Sequence, residues 1–193
     1  MRLILTGGSR GIGKDLCKSL RAQDHTVLVT TDGTPENDAD FLLDLTDPAQ
    51  GIALLRTWSA YSPFDGMIIT QYLKPPEMTE DYLDYFSLTR QFGPNVAFYF
   101  NLIWYAERLG MLAKPFRCLF LLNNFQNNLG VEHLPYKLAI SCIPNLMAEL
   151  DNSMGDSEDR YFNCLEVRDE DTSTICEQAE YLTLSHIGSN AVY

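Results

Sequence analysis

Apolar residues along this chain fall into two alternating kinds of stretch. Short, mostly apolar runs rich in Leu, Ile, Val and Phe occupy residues 3–5, 27–29, 41–43, 67–69, 118–122, 161–165 and 191–192. Longer segments, with apolar positions three and four apart, occupy residues 12–22, 48–58, 80–89, 95–109, 135–150 and 172–184. An unbroken apolar run reads as a strand covered on both faces, and the three-to-four spacing reads as a helix with one buried stripe. Their alternation predicts an α/β architecture of three layers, a parallel sheet of about seven strands with helices on both sides. No repeat or low-complexity tract interrupts the pattern, so a single domain over residues 1–193 is expected.

Two helix boundaries carry their own chemistry. Asp47 can cap the helix that Pro48 opens, and Gly110 can close the helix before it. The segment from Asn95 to Ala106 is apolar on more than one face, which calls for a cover beyond its own sheet. Self-association through this helix and the one at 135–150, as a homodimer or homotetramer, is the expectation.

The first strand runs straight into Thr6-Gly7-Gly8-Ser9-Arg10-Gly11-Ile12-Gly13 and then a helix. Glycine lets the backbone turn sharply and approach a ligand, and the first N–H groups of the helix are donors at the positive end of its dipole. Such a turn suits a dinucleotide pyrophosphate. Its spacing resembles the Thr-Gly-x-x-x-Gly-Ile-Gly turn of the short-chain dehydrogenase/reductase family, and the order of elements is similar over nearly the whole chain. The resemblance implies a Rossmann-like doubly wound sheet, NAD or NADP as cofactor, and a small-molecule carbonyl or alcohol as substrate.

That resemblance also assigns residues. Gly7, Ser9, Arg10, Gly11, Ile12 and Gly13 would surround the pyrophosphate, and Asp44-Leu45-Thr46 looks like the element that frames the adenine. Asp44 reads equally well as an Asx-type turn at a strand end. Thr31 and Asp32 fall where the family selects its cofactor: an acid there binds the ribose 2′-OH, whereas Arg10 looks like a contact to a 2′-phosphate. The choice between NAD and NADP stays open.

From the fourth strand onward the chain departs from the family pattern. Thr70-Gln71-Tyr72-Leu73 stands where the family has Asn-Asn-Ala-Gly, placing bulk beside the expected cofactor ribose. The family's Tyr-x-x-x-Lys pair shares one helical face, which lets the ammonium lower the phenol's pKa. Here Lys137 matches the lysine and His133 takes the tyrosine's place. His133 can serve as a proton donor or as a helix-end histidine, and adjacent Tyr136 points about 100° away from Lys137, as packing or surface. Asn124, in the Asn-rich stretch after the fifth strand, can replace the family serine as hydrogen-bond donor to a carbonyl oxygen, or simply form a turn. The substrate-covering excursion after the sixth strand is short.

Composition narrows the partners. With 26 acidic and 14 basic residues the net charge is −12, which opposes nucleic acid and anionic membranes. The five scattered cysteines, without a Cys-x-x-Cys pair, read as reduced thiols, and the three histidines give no metal-ligand spacing. The chain enters a strand at once and has no apolar run of membrane-spanning length, so a cytoplasmic location is expected. Three functions remain: a minimal reductase using Lys137, His133 and Asn124, a non-catalytic dinucleotide binder, and a structural or interaction subunit.

Overall fold

The structure, a computed structural model, describes residues 1–32, 41–73, 85–123, 133–154, 159–167 and 172–184. Six parallel strands form one sheet in the order β3-β2-β1-β4-β5-β6. They are β1 (Arg2–Thr6), β2 (Thr26–Thr31), β3 (Phe41–Leu42), β4 (Phe64–Ile69), β5 (Leu112–Asn123) and β6 (Arg160–Val167). The sequence suggested about seven strands; six are described, and the seventh, at residues 191–192, lies outside the described residues.

Apart from the edge strand β3, whose Leu42 is exposed, each strand divides its side chains between two cores, as the period of two demands. Ile4, Met67, Ile69, Phe120 and Leu122 join the core under α2 (Ala49–Thr57), α4 (Phe98–Arg108) and α5 (Leu134–Ser153). Leu3, Leu5, Ile68, Leu119 and Leu121 join the opposite core, under α1 (Gly11–Ala22) and α6 (Thr172–Leu184). Burying one such side chain contributes about 1.5–3 kcal/mol, so the doubly covered runs fix the register of the central strands.

Helix α3 (Tyr85–Phe92) continues into α4 through a π-helical turn, Gly93–Ala97. Pro94 has no N–H to continue a regular ladder, which accounts for the wider turn at this point. The expected boundaries form as read: the Asp47 carboxylate accepts the Ala49 N–H at 2.9 Å, and Gly110 closes α4 with φ +65°. Strand order reverses between β1 and β4, opening a crevice at the carboxyl ends of the strands, where ligands bind in folds of this kind.

Candidate functional site

The glycine turn between β1 and α1 forms one wall of this crevice. Gly7 (φ +75°) and Gly11 (φ +52°) adopt left-handed backbone that glycine alone enters freely. Gly13 has a different duty: a Cβ there would lie 2.4 Å from the Gly7 carbonyl oxygen, so its hydrogen lets α1 sit on the turn. A Cβ on Gly11 would meet no atom of the described residues within 4 Å. Arg10 is the N-cap of α1, with extended backbone and no side-chain cap, so the first N–H groups of the helix are left to the crevice.

Two cavities follow the crevice. The inner one, about 290 Å³, is lined by the turn from Gly7 to Gly13, by Thr70 and Tyr72 after β4, and by Leu121, Tyr136 and Val167. The outer one, about 540 Å³, is lined by Leu43, Asp44 and Leu45 among others. They share Arg10, Asp32, Gln71 and Tyr72. The turn and the Asp44-Leu45 pair therefore line adjoining cavities joined through these four residues.

Beneath the groove a polar seam ties the strand ends together. The Thr30 hydroxyl accepts the Gly7 N–H at 3.2 Å and donates to Gln71 Oε1 at 2.9 Å. Gln71 Nε2 donates to the Leu43 carbonyl at 3.1 Å, and the Tyr99 hydroxyl donates to the Gln71 carbonyl. Ser9 Oγ donates to Thr31 Oγ1 at 2.8 Å. Asn95, in the π-helical turn, accepts the Leu73 N–H at 2.6 Å and donates to its carbonyl at 3.1 Å. Gln71, Asn95 and Tyr99 thus hold the segment after β4, a duty the sequence reading missed. The one available signal was a polar Gln71 immediately after an apolar strand.

Arg10 and Asp32, read from the sequence as opposing indications for NADP and NAD, form an ion pair with each other. Ser9 is buried beneath them and Arg10 is largely exposed. Asp44 forms the Asx-type turn: one carboxylate oxygen accepts both the Thr46 hydroxyl (2.7 Å) and the Thr46 N–H (2.8 Å). The hydroxyl first, and then the N–H, hold the Asp44 carboxyl below its ordinary pKa.

Tyr72 lines both cavities, yet its hydroxyl is buried and has no hydrogen-bond partner among the described residues. Its ring meets Tyr99 edge-on, with centroids 6.2 Å apart. Burial raises its pKa well above the ordinary phenol value, and the nearby Tyr99, Cys164, Tyr136 and Cys118 add to the shift. The bulk expected beside the ribose is therefore directed largely into the core.

The candidate chemical residues fare unevenly. His133 is the N-cap of α5, without a side-chain cap, and is half-buried, as is Lys137 one turn on. Neither lines the two cavities; Tyr136 is the α5 residue that does, buried, with desolvation pushing its phenol up to about 12. Tyr136 is packing, as read, but packing that forms part of the groove wall. Asn124 lies outside the described residues. No group of His, Cys, Asp or Glu among the described residues could hold a metal ion.

No family model and no curated protein matches the sequence. Solved structures do. A short-chain dehydrogenase/reductase from Serratia marcescens superposes with TM-score 0.80 at 19% identity, covering 99% of this chain and 93% of that one. BdcA in complex with NADPH gives TM-score 0.81 at 14% identity, covering 100% and 91%. The landomycin C-6 ketoreductase LanV, with bound NADP and rabelomycin, gives 0.78 at 13%, covering 99% and 92%. The chain has the Rossmann-like fold of the short-chain dehydrogenases/reductases, over essentially its whole length.

Proposed function

We propose that this chain is a nicotinamide-dinucleotide-binding oxidoreductase that acts on a carbonyl or alcohol group of a small molecule with weakened chemistry. The observation that carries the reading is the uncapped N-terminus of α1, opening on a groove that runs from the glycine turn to Asp44 and Leu45. Neighbours of the same fold carry NADPH or NADP, which supports a cofactor of this class here.

In this reading Gly7, Ser9, Gly11, Ile12 and Gly13 surround the pyrophosphate, and Asp44 and Leu45 frame the adenine. Either partner of the Arg10–Asp32 pair then takes the adenosine ribose, Asp32 for NAD and Arg10 for NADP. Bound NADH or NADPH would supply the hydride. Lys137 would hold the other ribose, His133 would deliver the proton, and Asn124 would orient the carbonyl oxygen. A positioned general acid contributes about 10²–10⁴-fold and one oxyanion donor about 10²–10³-fold, so replacing both makes turnover slow.

A second reading keeps binding without catalysis, as a cofactor sensor or an interaction subunit. It is favoured by Tyr136, not Lys137, lining the inner cavity. Screening carbonyl compounds with both reduced cofactors separates the two. Slow turnover lost in His133→Ala and Lys137→Ala supports the oxidoreductase, binding without turnover supports the second reading, and absence of binding refutes both.

The helix surfaces and the charge complete the proposal. Trp104, Tyr105 and Leu109 at the end of α4 and Leu138 on α5 are exposed, which favours a homodimer or homotetramer through these helices. The net charge of −12 disfavours nucleic acid, and no helix among the described residues is long and apolar enough to cross a membrane. A cytoplasmic location is proposed with the rest.

A further inference from the structure

A third cavity, about 770 Å³, lies on the far side of Leu45 and Leu73 from the nucleotide groove. Its walls come from the segment after β3 (Leu45, Pro48) and from the α3–α4 segment (Phe86, Pro94, Phe98). The volume falls within the ~300–1,000 Å³ usual for small-molecule sites. None of the turn residues Gly7 to Gly13 reaches it.

The cavity is built by the same device that widens the helix. The π-helical turn Gly93–Ala97 contributes Gly93, Pro94 and Ala97 to the lining, and π turns of this kind occur frequently at functional sites. Gly93 leaves open space where a side chain would stand. Buried Gln91, itself in the lining, accepts from Asn95 at 3.0 Å, and Asn95 holds Leu73 at both its N–H and its carbonyl. The lining is thus fixed by side-chain hydrogen bonds from behind.

Charge decides what such a cavity would take. Among the described residues Arg90 is the only charged one in the lining, and no carboxylate among them pairs with it. Asn101 adds an amide donor at the margin. A guanidinium beside apolar walls, on a chain of net charge −12, is a local site for one anionic group on an apolar body.

We propose that this cavity is a second small-molecule site, selective for an amphipathic organic monoanion such as a medium-chain or aromatic carboxylate. The site is separate from the nucleotide groove and does not depend on the function proposed above.

Octanoate is the probe, with 1-octanol as its neutral counterpart, titrated calorimetrically into the full chain. The expected result is one octanoate per chain. Arg90→Gln weakens octanoate at least tenfold and leaves octanol unchanged, whereas Ala97→Leu, which fills the cavity, weakens both. Circular dichroism and melting temperature of both variants should match the parent. Three outcomes overturn the proposal: no octanoate binding, octanoate binding insensitive to both substitutions, or a dimer that Ala97→Leu dissociates, which would give the cavity to a second copy.

Discussion

Arg10, at the cap of α1, and Asp32, at the end of β2, are bound to each other in an ion pair across the groove. In the proposed function each serves a different cofactor, so binding NAD or NADP would exchange this pair for a contact to the ribose. Exposed pairs of this kind are worth only about 0–1 kcal/mol, small enough for a ligand to displace. A charge-assisted hydrogen bond to the ligand contributes about 1.5–3 kcal/mol. Asp32→Asn is therefore expected to raise NADPH affinity relative to NADH by about tenfold, and Arg10→Gln to lower it by a similar factor. Calorimetric titration of both variants with both cofactors measures the shift.

Gly13 is required by the protein before any ligand arrives. Its missing side chain faces the Gly7 carbonyl oxygen at 2.4 Å and Thr70 Oγ1 at 2.9 Å. Gly13→Ala must push α1 off the turn, an overpacking that costs about 1–3 kcal/mol. Thermal unfolding of the variant without ligand should show that loss, and an unchanged melting temperature would remove Gly13 from this role.

Gln71 carries the seam beneath the groove, with Thr30, Leu43 and Tyr99 on its polar atoms. Gln71→Leu keeps the main-chain carbonyl that Tyr99 binds but removes the side-chain partner of the Thr30 hydroxyl and of the Leu43 carbonyl, at about 1–3 kcal/mol for each buried group left without a bond. Denaturant unfolding should record a loss of that order, accompanied by weaker nucleotide binding as the segment after β4 loses its anchor.

The thiols should differ sharply in reactivity. Desolvation pushes the Cys164 thiol up to about 12, with Glu166 adding to the shift, and raises Cys118 well above the ordinary thiol range. Both stay protonated and unreactive at neutral pH. Cys17 and Cys176 are buried too, and Cys142 is half-buried. A disulfide reagent at neutral pH should therefore modify one thiol rapidly per native chain, and Cys142→Ser should abolish that phase.

Asp44 gives a pH signature of the Asx turn. Its lowered carboxyl pKa means that the stabilisation is fully present above the unfolded value and is lost as pH falls through the folded one. Thr46→Ala removes the hydroxyl bond, the larger cause, so the Asp44 carboxyl should titrate at higher pH. Carbon-detected NMR of that carboxyl reads the change.

The strands and helices were legible because doubly buried runs and helical spacing are local patterns. Ile4 and Leu5 announce a covered strand by themselves, and Gly7 to Gly13 announce a sharp turn. The Arg10–Asp32 pair was not legible, because it joins residues twenty-two apart across two strand ends. Gln71 looked like an erosion of a family pattern, since its hydrogen-bond partners come from β2, the end of β3 and α4. Tyr72 shows the same limit: sequence gives its bulk, but only the packing against Tyr99 directs that bulk into the core.

Whether the groove takes a dinucleotide at the turn decides the proposed function most directly. Gly11 lines the inner cavity, and a methyl group there meets no atom of the described residues, so Gly11→Ala acts on the groove surface and on the left-handed backbone of the turn (φ +52°), and its melting temperature is read beside its affinity to separate the two. Titration calorimetry of NADH and NADPH into the parent and this variant is the decisive measurement. The expected result is one dinucleotide per parent chain and at least tenfold weaker binding in Gly11→Ala. No binding to the parent, or equal affinity in both proteins, would contradict it.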